Sequence, residues 1–411
     1  MIKKTAAVIG VDFSKSDISV GESLRELSFL ANTLGISVSE SFQQNRKTPD
    51  SGFFIGRGKA AEIGKECEAK NIALLIFDDE LTPTQQRNIE FVTGIPVTDR
   101  TGVILQIFAN RARSREAKLQ IELAEKYYNL SRLKSKDASF EQQVGVAGIR
   151  SGFGEKKLEI DKRKLRDRIS YLKKEIEKIK YHREVQRTKR MEVPMPVVSI
   201  VGYTNAGKST LLNRLVKKNA VYADDKLFAT LDTTTRRVPL PSGGVALFTD
   251  TVGFIRKLPH KLVAAFKSTL EEIKYSDLIL HLIDVSDANW KISEATVLEV
   301  LKDIGVSGIP VISVYNKCDL VRCADMFPSD RMSISAYTGQ NVGNLLADID
   351  HLLWPDLERR TLMVPFPKSY VLNKIKKIGR ILRTDIGNNG LNLEILIDRK
   401  NWLQIIKIIS L

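Results

Sequence analysis

The chain reads as α/β: a principal domain of mostly parallel sheet with helices on both faces, preceded by a small α/β domain and a long helical hairpin. Three observations predict it. Apolar runs at 6–11, 36–41, 74–77 and 95–98 alternate with amphipathic helical patterns at 21–34, 60–70 and 83–93, an alternation that builds a small parallel layer. Residues 111–192 then show no strand pattern and keep apolar residues at three-four spacing. After Pro194 and Pro196 the strand–helix alternation resumes and runs to Trp354 and Pro355. The expected division is an N-terminal α/β domain at 1–110, a basic helical hairpin at 111–192, the principal domain at 193–357 and a small α/β domain at 358–411.

Within the first domain, Thr82 followed by Pro83 predicts a capped helix start with proline just inside. Gly56-Arg57-Gly58-Lys59 leads into another helix. Such a loop either contacts phosphate through its amides and cations or is a surface turn, and two glycines do not decide between these.

In the hairpin, Leu158, Leu165, Ile169, Leu172, Ile176 and Ile179 form one seam, and Leu119, Leu123, Tyr127 and Leu130 offer the facing one. The joining stretch from Val144 to Gly154 contains four glycines, each costing a helix about 1 kcal/mol, and is expected to be a non-helical tip. The last unit reads strand, helix, strand, strand, helix, with Asn388-Asn389-Gly390 as its hairpin turn.

At 411 residues with 43% hydrophobic and 27% charged, the chain has material for several cores. No run of 18 apolar residues exists, and the start shows no signal-peptide pattern, so a cytoplasmic location and no integral membrane segment are expected. Cys67, Cys318 and Cys323 are scattered and lack histidines at ligand spacing, which argues against a disulfide framework or a zinc site. The charge of +15 is uneven: 24 Lys or Arg against 12 Asp or Glu between Arg111 and Arg190 give +12, leaving +3 for the rest. A local surplus of that kind suits a surface that meets nucleic-acid phosphates, with a solvated Lys/Glu-rich helix as the plainer alternative.

The chemistry lies at strand ends. The strand 197–201 runs into Gly202-Tyr203-Thr204-Asn205-Ala206-Gly207-Lys208-Ser209-Thr210 and then a helix, the strand–loop–helix context of a phosphate-binding loop. Its glycines let successive amides and the helix N-terminus face phosphates, Lys208 would bridge β- and γ-phosphates, and Ser209 would offer its hydroxyl to Mg2+. A second strand ends in Asp250-Thr251-Val252-Gly253, where Asp250 would hold Mg2+ through water and the Gly253 N–H would sense the γ-phosphate.

A third strand ends in Asn316-Lys317-Cys318-Asp319. A carboxylate at Asp319 accepts two hydrogen bonds from guanine N1–H and its 2-amino group, a donor pair that adenine lacks, so GTP and GDP are the expected nucleotides. Ser335 and Ala336, after a fourth strand, complete the base pocket. The principal domain is therefore expected to be a P-loop GTPase domain. Thr230, beside Phe228, is the expected hydroxyl on Mg2+ and the γ-phosphate, in competition with Thr233, Thr234 and Thr235. Phe254 stands where Ras-like proteins place a water-orienting glutamine, so intrinsic hydrolysis should be slow. Lys208, Thr230 and Gly253 are the residues expected to serve the reaction.

The chain resembles the HflX family, translation-factor-class GTPases. The resemblance includes 81–90 (Leu-Thr-Pro-Thr-Gln-Gln-Arg-Asn-Ile-Glu), 99–108, 111–124, and Phe228-Ala229-Thr230-Leu231-Asp232 with Asp250-Thr251-Val252-Gly253-Phe254. It implies a protein that binds the large ribosomal subunit, is stimulated by the ribosome and separates stalled ribosomes into subunits, notably under heat stress; a monomer is the expected state. A ribosome-assembly GTPase and a protein-binding signalling switch are the alternatives. One departure falls at the tip, where Gly152-Phe153-Gly154-Glu155-Lys156-Lys157-Leu158-Glu159 stands for the family's Gly-Pro-Gly-Glu-Thr-Gln-Leu-Glu.

Overall fold

The structure, a computed structural model, describes residues 5–13, 19–143, 151–190, 195–216, 234–257, 272–306, 308–321, 331–354, 357–372, 375 and 379–410. The chain divides into two compact units. One comprises Met1–Tyr181 with Asp225–Asp232 and Ile255–Ser268; the other comprises His182–Asp224, Thr233–Phe254 and Thr269–Leu411.

The first unit contains a four-stranded sheet in the order β2-β1-β3-β4, with β1 Thr5–Asp12, β2 Ser37–Asn45, β3 Leu74–Phe77 and β4 Val97–Asp99 all parallel. Helices α1 Val20–Thr33, α2 Arg57–Ala69 and α3 Pro83–Thr93 connect the strands. Ile9, Val11, Ile63, Leu75, Phe77 and Ile89 fill the core on one side of that sheet. The cap foreseen at Thr82 is a full capping box, because Gln85 N donates to Thr82 Oγ1 and Thr82 N donates back to Gln85 Oε1 at 2.9 Å. The Gly56 loop is the N-cap of α2: Gly56 has φ +86°, a Cβ there would fall 2.6 Å from Arg46 Nη1, and Lys59 is paired with Glu62 at 2.6 Å.

A helix that the sequence pattern did not reveal, α4 Arg100–Arg111, follows β4 directly. Asp99 caps it by accepting from Gly102 N at 2.9 Å. The same buried carboxylate accepts from Tyr128 Oη and Arg132 Nη2, both at 2.8 Å, and so fixes the middle of α5 Arg115–Gln143 to the end of β4. Burial, followed by the Asp99 charge, pushes the Tyr128 phenol far up from its ordinary value.

α5 and α6 Ser151–Arg190 pair along Leu123, Ile169, Leu172 and Ile176, flanked by Leu119, Tyr127 and Leu130, which is the central part of the expected seam; Leu165 and Ile179 are half-buried outside that cluster. Arg168 grips Glu122 bidentately at 2.7 and 2.9 Å across it. The start of α6 corrects the expected tip: the helix begins at Ser151 and includes Gly152 and Gly154. Those glycines lie in its first turn, where few intrahelical bonds depend on them, and Glu155, Lys156, Lys157 and Leu158 behind them are good helix formers. Residues 144–150 lie outside the described set.

The second unit holds a six-stranded sheet, order β10-β9-β8-β5-β7-β6, built from β5 Val197–Gly202, β6 Thr234–Pro239, β7 Val245–Asp250, β8 Leu278–Asp284, β9 Val311–Asn316 and β10 Met332–Ser333. Every pair is parallel except the β6–β7 hairpin at the edge. β5 sits between β7 and β8 and is buried on both faces, so Val198 and Ile200 pack with Leu211, Leu215, Phe248, Leu280 and Val314 in the main core. Helices α7 Lys208–Val216, α8 Trp290–Asp303 and α9 Val342–Leu353 complete this layer.

The same unit ends in an antiparallel sheet, β11-β13-β12, from β11 Leu357–Pro365, β12 Arg380–Ile386 and β13 Gly390–Asp398, followed by α10 Arg399–Ser410. The Asn388-Asn389-Gly390 hairpin joins β12 to β13, closed by Gly387 N donating to Gly390 O at 2.8 Å. Of the helix expected between β11 and β12, only part falls within the described residues.

Candidate functional site

The loop between β5 and α7 needs unusual backbone at three places. Gly202 ends β5 where a Cβ would lie 2.3 Å from Leu282 O, so only glycine fits between the strands. Asn205 takes φ +63°, a left-handed conformation that asparagine tolerates. Gly207 has φ +91°, and a Cβ on it would strike Asn316 Nδ2 at 2.3 Å. The loop thus curls back beneath the first turn of α7, with Leu211 N donating to Gly207 O at 2.9 Å. Amides at the start of a helix carry partial positive charge toward an anion.

Lys208 lies across this curl. Its Nζ donates to Gly202 O at 3.1 Å and Tyr203 O at 2.7 Å, and the side chain is almost wholly buried. Burial pulls its pKa down to about 8, against the pull of Asp250 toward the charged form. Ser209 Oγ donates to Asp250 Oδ2 at 2.6 Å, so β5–α7 and the end of β7 bring a hydroxyl and a carboxylate together. Oxygen-only donors of this kind suit a small hard cation such as Mg2+. Thr210 follows in the first turn of α7.

Gly253 approaches the loop closely: a Cβ on it would fall 2.9 Å from Lys208 Nζ and 3.0 Å from Thr204 Cα. The next residue is stitched to the loop by its backbone. Thr204 N donates to Phe254 O at 2.7 Å, and Phe254 N donates to Gly202 O at 3.1 Å. The phenyl ring is buried among Val201, Ile273, Ile279, Val297 and Leu301, turned into the apolar core.

On the other side, Asn316 connects two loops. Its Nδ2 donates to Ala206 O at 2.8 Å, and its Oδ1 accepts from Ala336 N at 2.9 Å. Lys317, with φ +66°, turns the chain after β9 and pairs with Asp284 at 2.6 Å. Asp319 follows in a short 3-10 turn and is exposed. Ser335 is fully buried, and its Oγ accepts from Thr338 N at 3.1 Å, which fixes the loop that presents Ala336.

The structure therefore brings together Gly202 to Ser209 with Asp250 and Gly253, and links them through Asn316 to Lys317 and Ala336. Phe228 and Thr230 lie outside the described residues, as do Thr233 and Cys323. Sequence reading missed His281 on β8. It is buried, its Nδ1 has no hydrogen-bond partner, and its pKa is held down to about 4, first by burial and then by the Lys208 charge. With Tyr203, Thr204, Asp284 and Glu294 it lines a small pocket beside the phosphate loop. Its signal was a single histidine in an otherwise apolar strand.

Strand-end loops with this connectivity, holding a buried lysine, a Ser–Asp pair and an Asn-Lys-Cys-Asp turn, define a P-loop guanine-nucleotide-binding protein. Three family models match the chain: "GTP-binding GTPase N-terminal" at 21–109, "GTP-binding GTPase Middle Region" at 111–190 and "50S ribosome-binding GTPase" at 197–317. The GTPase HflX of Caldanaerobacter subterraneus subsp. tengcongensis is 43% identical over 392 residues, 95% of this chain and 90% of that protein. The Escherichia coli GTPase HflX is 38% identical over 396 residues, 94% and 92% of the two chains. A solved GTP-binding protein from Sulfolobus solfataricus, in complex with GDP, is 28% identical with a TM-score of 0.45, covering 86% of this chain and 99% of that one. The chain belongs to the HflX family of GTPases. It binds guanine nucleotide and hydrolyses GTP. Among the described residues no helix is long and apolar enough to cross a membrane.

Proposed function

We propose that this GTPase binds the large ribosomal subunit, is stimulated by it, and separates stalled or stressed ribosomes into subunits. It acts in the cytoplasm as a monomer. The observation that carries this reading is the division of labour in the helical hairpin. Its packing uses one narrow seam, while a surplus of +12 lies between Arg111 and Arg190, as an RNA-facing surface requires. The family description for residues 197–317, a 50S ribosome-binding GTPase, supports the same partner. The four-part division at 1–110, 111–192, 193–357 and 358–411 belongs to this proposal.

In the nucleotide site, the loop from Tyr203 to Thr210 takes the phosphates, with the Thr204 and Ala206 amides committed to Phe254 O and Tyr203 O, and Lys208 leaves the Gly202 and Tyr203 carbonyls to pair with β- and γ-phosphate oxygens. Ser209, Asp250 and Thr230 hold Mg2+, which neutralises charge on the phosphates. Gly253 N–H marks the γ-phosphate. Asn316, Lys317, Asp319, Ser335 and Ala336 form the guanine pocket, with Phe228 beside the nucleotide. Since Asp319 is exposed, it recognises the base once the base itself has displaced water.

A sucrose-gradient experiment tests the proposal. With a non-hydrolysable GTP analogue, the purified protein should convert associated ribosomes into subunits. Ribosomes that remain associated at saturating protein would end the splitting role.

A further inference from the structure

Phe254 cannot orient water. Its ring is buried in an apolar cluster, and two backbone hydrogen bonds hold its main chain against Gly202 and Thr204, so turning the ring toward the phosphates would take it out of that cluster and expose it. Another group must do that work. The hydroxyls nearest the loop are mostly committed: Ser209 Oγ donates to Asp250 at 2.6 Å, and Thr251 Oγ1 donates to Ile200 O at 2.8 Å.

Thr204 differs. It is only 7% exposed, yet its Oγ1 has no hydrogen-bond partner. A buried hydroxyl left unpaired is expensive, about 1–3 kcal/mol, and such a group is retained where a partner arrives later. Thr204 also stands at the point of convergence: its Cγ2 and Cα, together with Lys208 Nζ, lie 2.9, 3.0 and 2.9 Å from the position that a Cβ on Gly253 would occupy. The methyl faces that point now. A single staggered step about χ1 brings the hydroxyl to the methyl's place, and threonine uses more than one χ1 well.

We propose that Thr204 is the positioning residue that holds the attacking water, in place of the glutamine that Phe254 replaces. The inference rests on the phosphate site described above. In the step it serves, the water oxygen bonds to the γ-phosphorus while the bond from that phosphorus to the β–γ bridging oxygen breaks. The electron pair stays on GDP, and the water proton passes to a γ-phosphate oxygen. Thr204 exchanges no proton; its hydroxyl fixes the direction from which the water approaches.

Single-turnover GTP hydrolysis by the full chain, without ribosomes, tests this on Thr204→Val, Thr204→Ser and Lys208→Ala. Valine keeps the shape and removes the hydroxyl. The expected result is a rate constant lowered about tenfold or more in Thr204→Val, close to 1.4 kcal/mol per tenfold, with GDP affinity within about threefold of wild type. Thr204→Ser should restore the rate to within about threefold, and GDP with aluminium fluoride should bind wild type and Thr204→Ser but not Thr204→Val. A Thr204→Val protein that hydrolyses GTP at the wild-type rate, or one not rescued by serine, overturns the proposal. Unaltered nucleotide binding by Lys208→Ala would instead show that the phosphate site itself is misplaced, so the two failures are distinguishable.

Discussion

Asn316 ties the loop after β5 to the loop after β10, donating to Ala206 O at 2.8 Å and accepting from Ala336 N at 2.9 Å. In the proposed nucleotide site these two loops face the phosphates and the base, and the tie holds them at one spacing. Replacing Asn316 with alanine strands a buried carbonyl and a buried N–H, a loss of about 1–3 kcal/mol for each group. GDP affinity measured by calorimetry should fall about 10- to 100-fold, with unaltered affinity showing that the tie is dispensable.

The phosphate and base contacts separate in mutants. Lys208→Ala should abolish nucleotide binding, since no other buried cation lies across the loop among the described residues. Asp319→Asn should weaken GTP and narrow its margin over ATP, because the amide offers only one acceptor oxygen and no charge to the guanine edge. Competition of GTP against ATP in both variants is the measurement; an unchanged preference in Asp319→Asn would displace the guanine pocket from this loop.

Restoring a glutamine at 254 should not quicken hydrolysis. The position is an apolar core site, so Phe254→Gln leaves a cavity and buries an amide there, at a cost of about 2–4 kcal/mol. A lower unfolding midpoint with no gain in single-turnover rate is expected. A faster enzyme would mean that residue 254 reaches the phosphates after all.

His281 makes stability sensitive to acid. Its folded pKa is held down to about 4, below the ordinary value of 6.5, so between those values the unfolded chain binds the extra proton and stability rises with pH. From pH 6.5 down to 4 this one group should cost about 3 kcal/mol. His281→Leu should flatten that part of the profile of unfolding free energy against pH, and an unchanged slope would assign the acid sensitivity elsewhere.

Much of this site was legible because its constraints are local. Gly202 and Gly207 announce themselves as glycines where strands and loops touch, and Lys208, Asp250 and Asp319 occur at fixed places after apolar strands. The cap at Thr82 was legible for the same reason, since a capping box is made within four residues. What escaped depends on distant partners. Helix α4 opens with Arg100, a charge in a buried position, and only the folded chain supplies Asp78 and Glu26 at 2.6 Å to satisfy it. His281 is equally silent in sequence, because its importance comes from lying beside Lys208. The glycines at 152 and 154 were misread as a break because their cost is small at a helix start and larger in its interior.

The proposed function depends on the large ribosomal subunit as partner. GTP hydrolysis measured with and without isolated large ribosomal subunits, at equal nucleotide and salt, tests it most directly. Acceleration of about tenfold or more is expected, of the kind supplied when a partner adds stabilisation of transition-state charge to a slow site. An identical rate in the presence of saturating large subunits would contradict it.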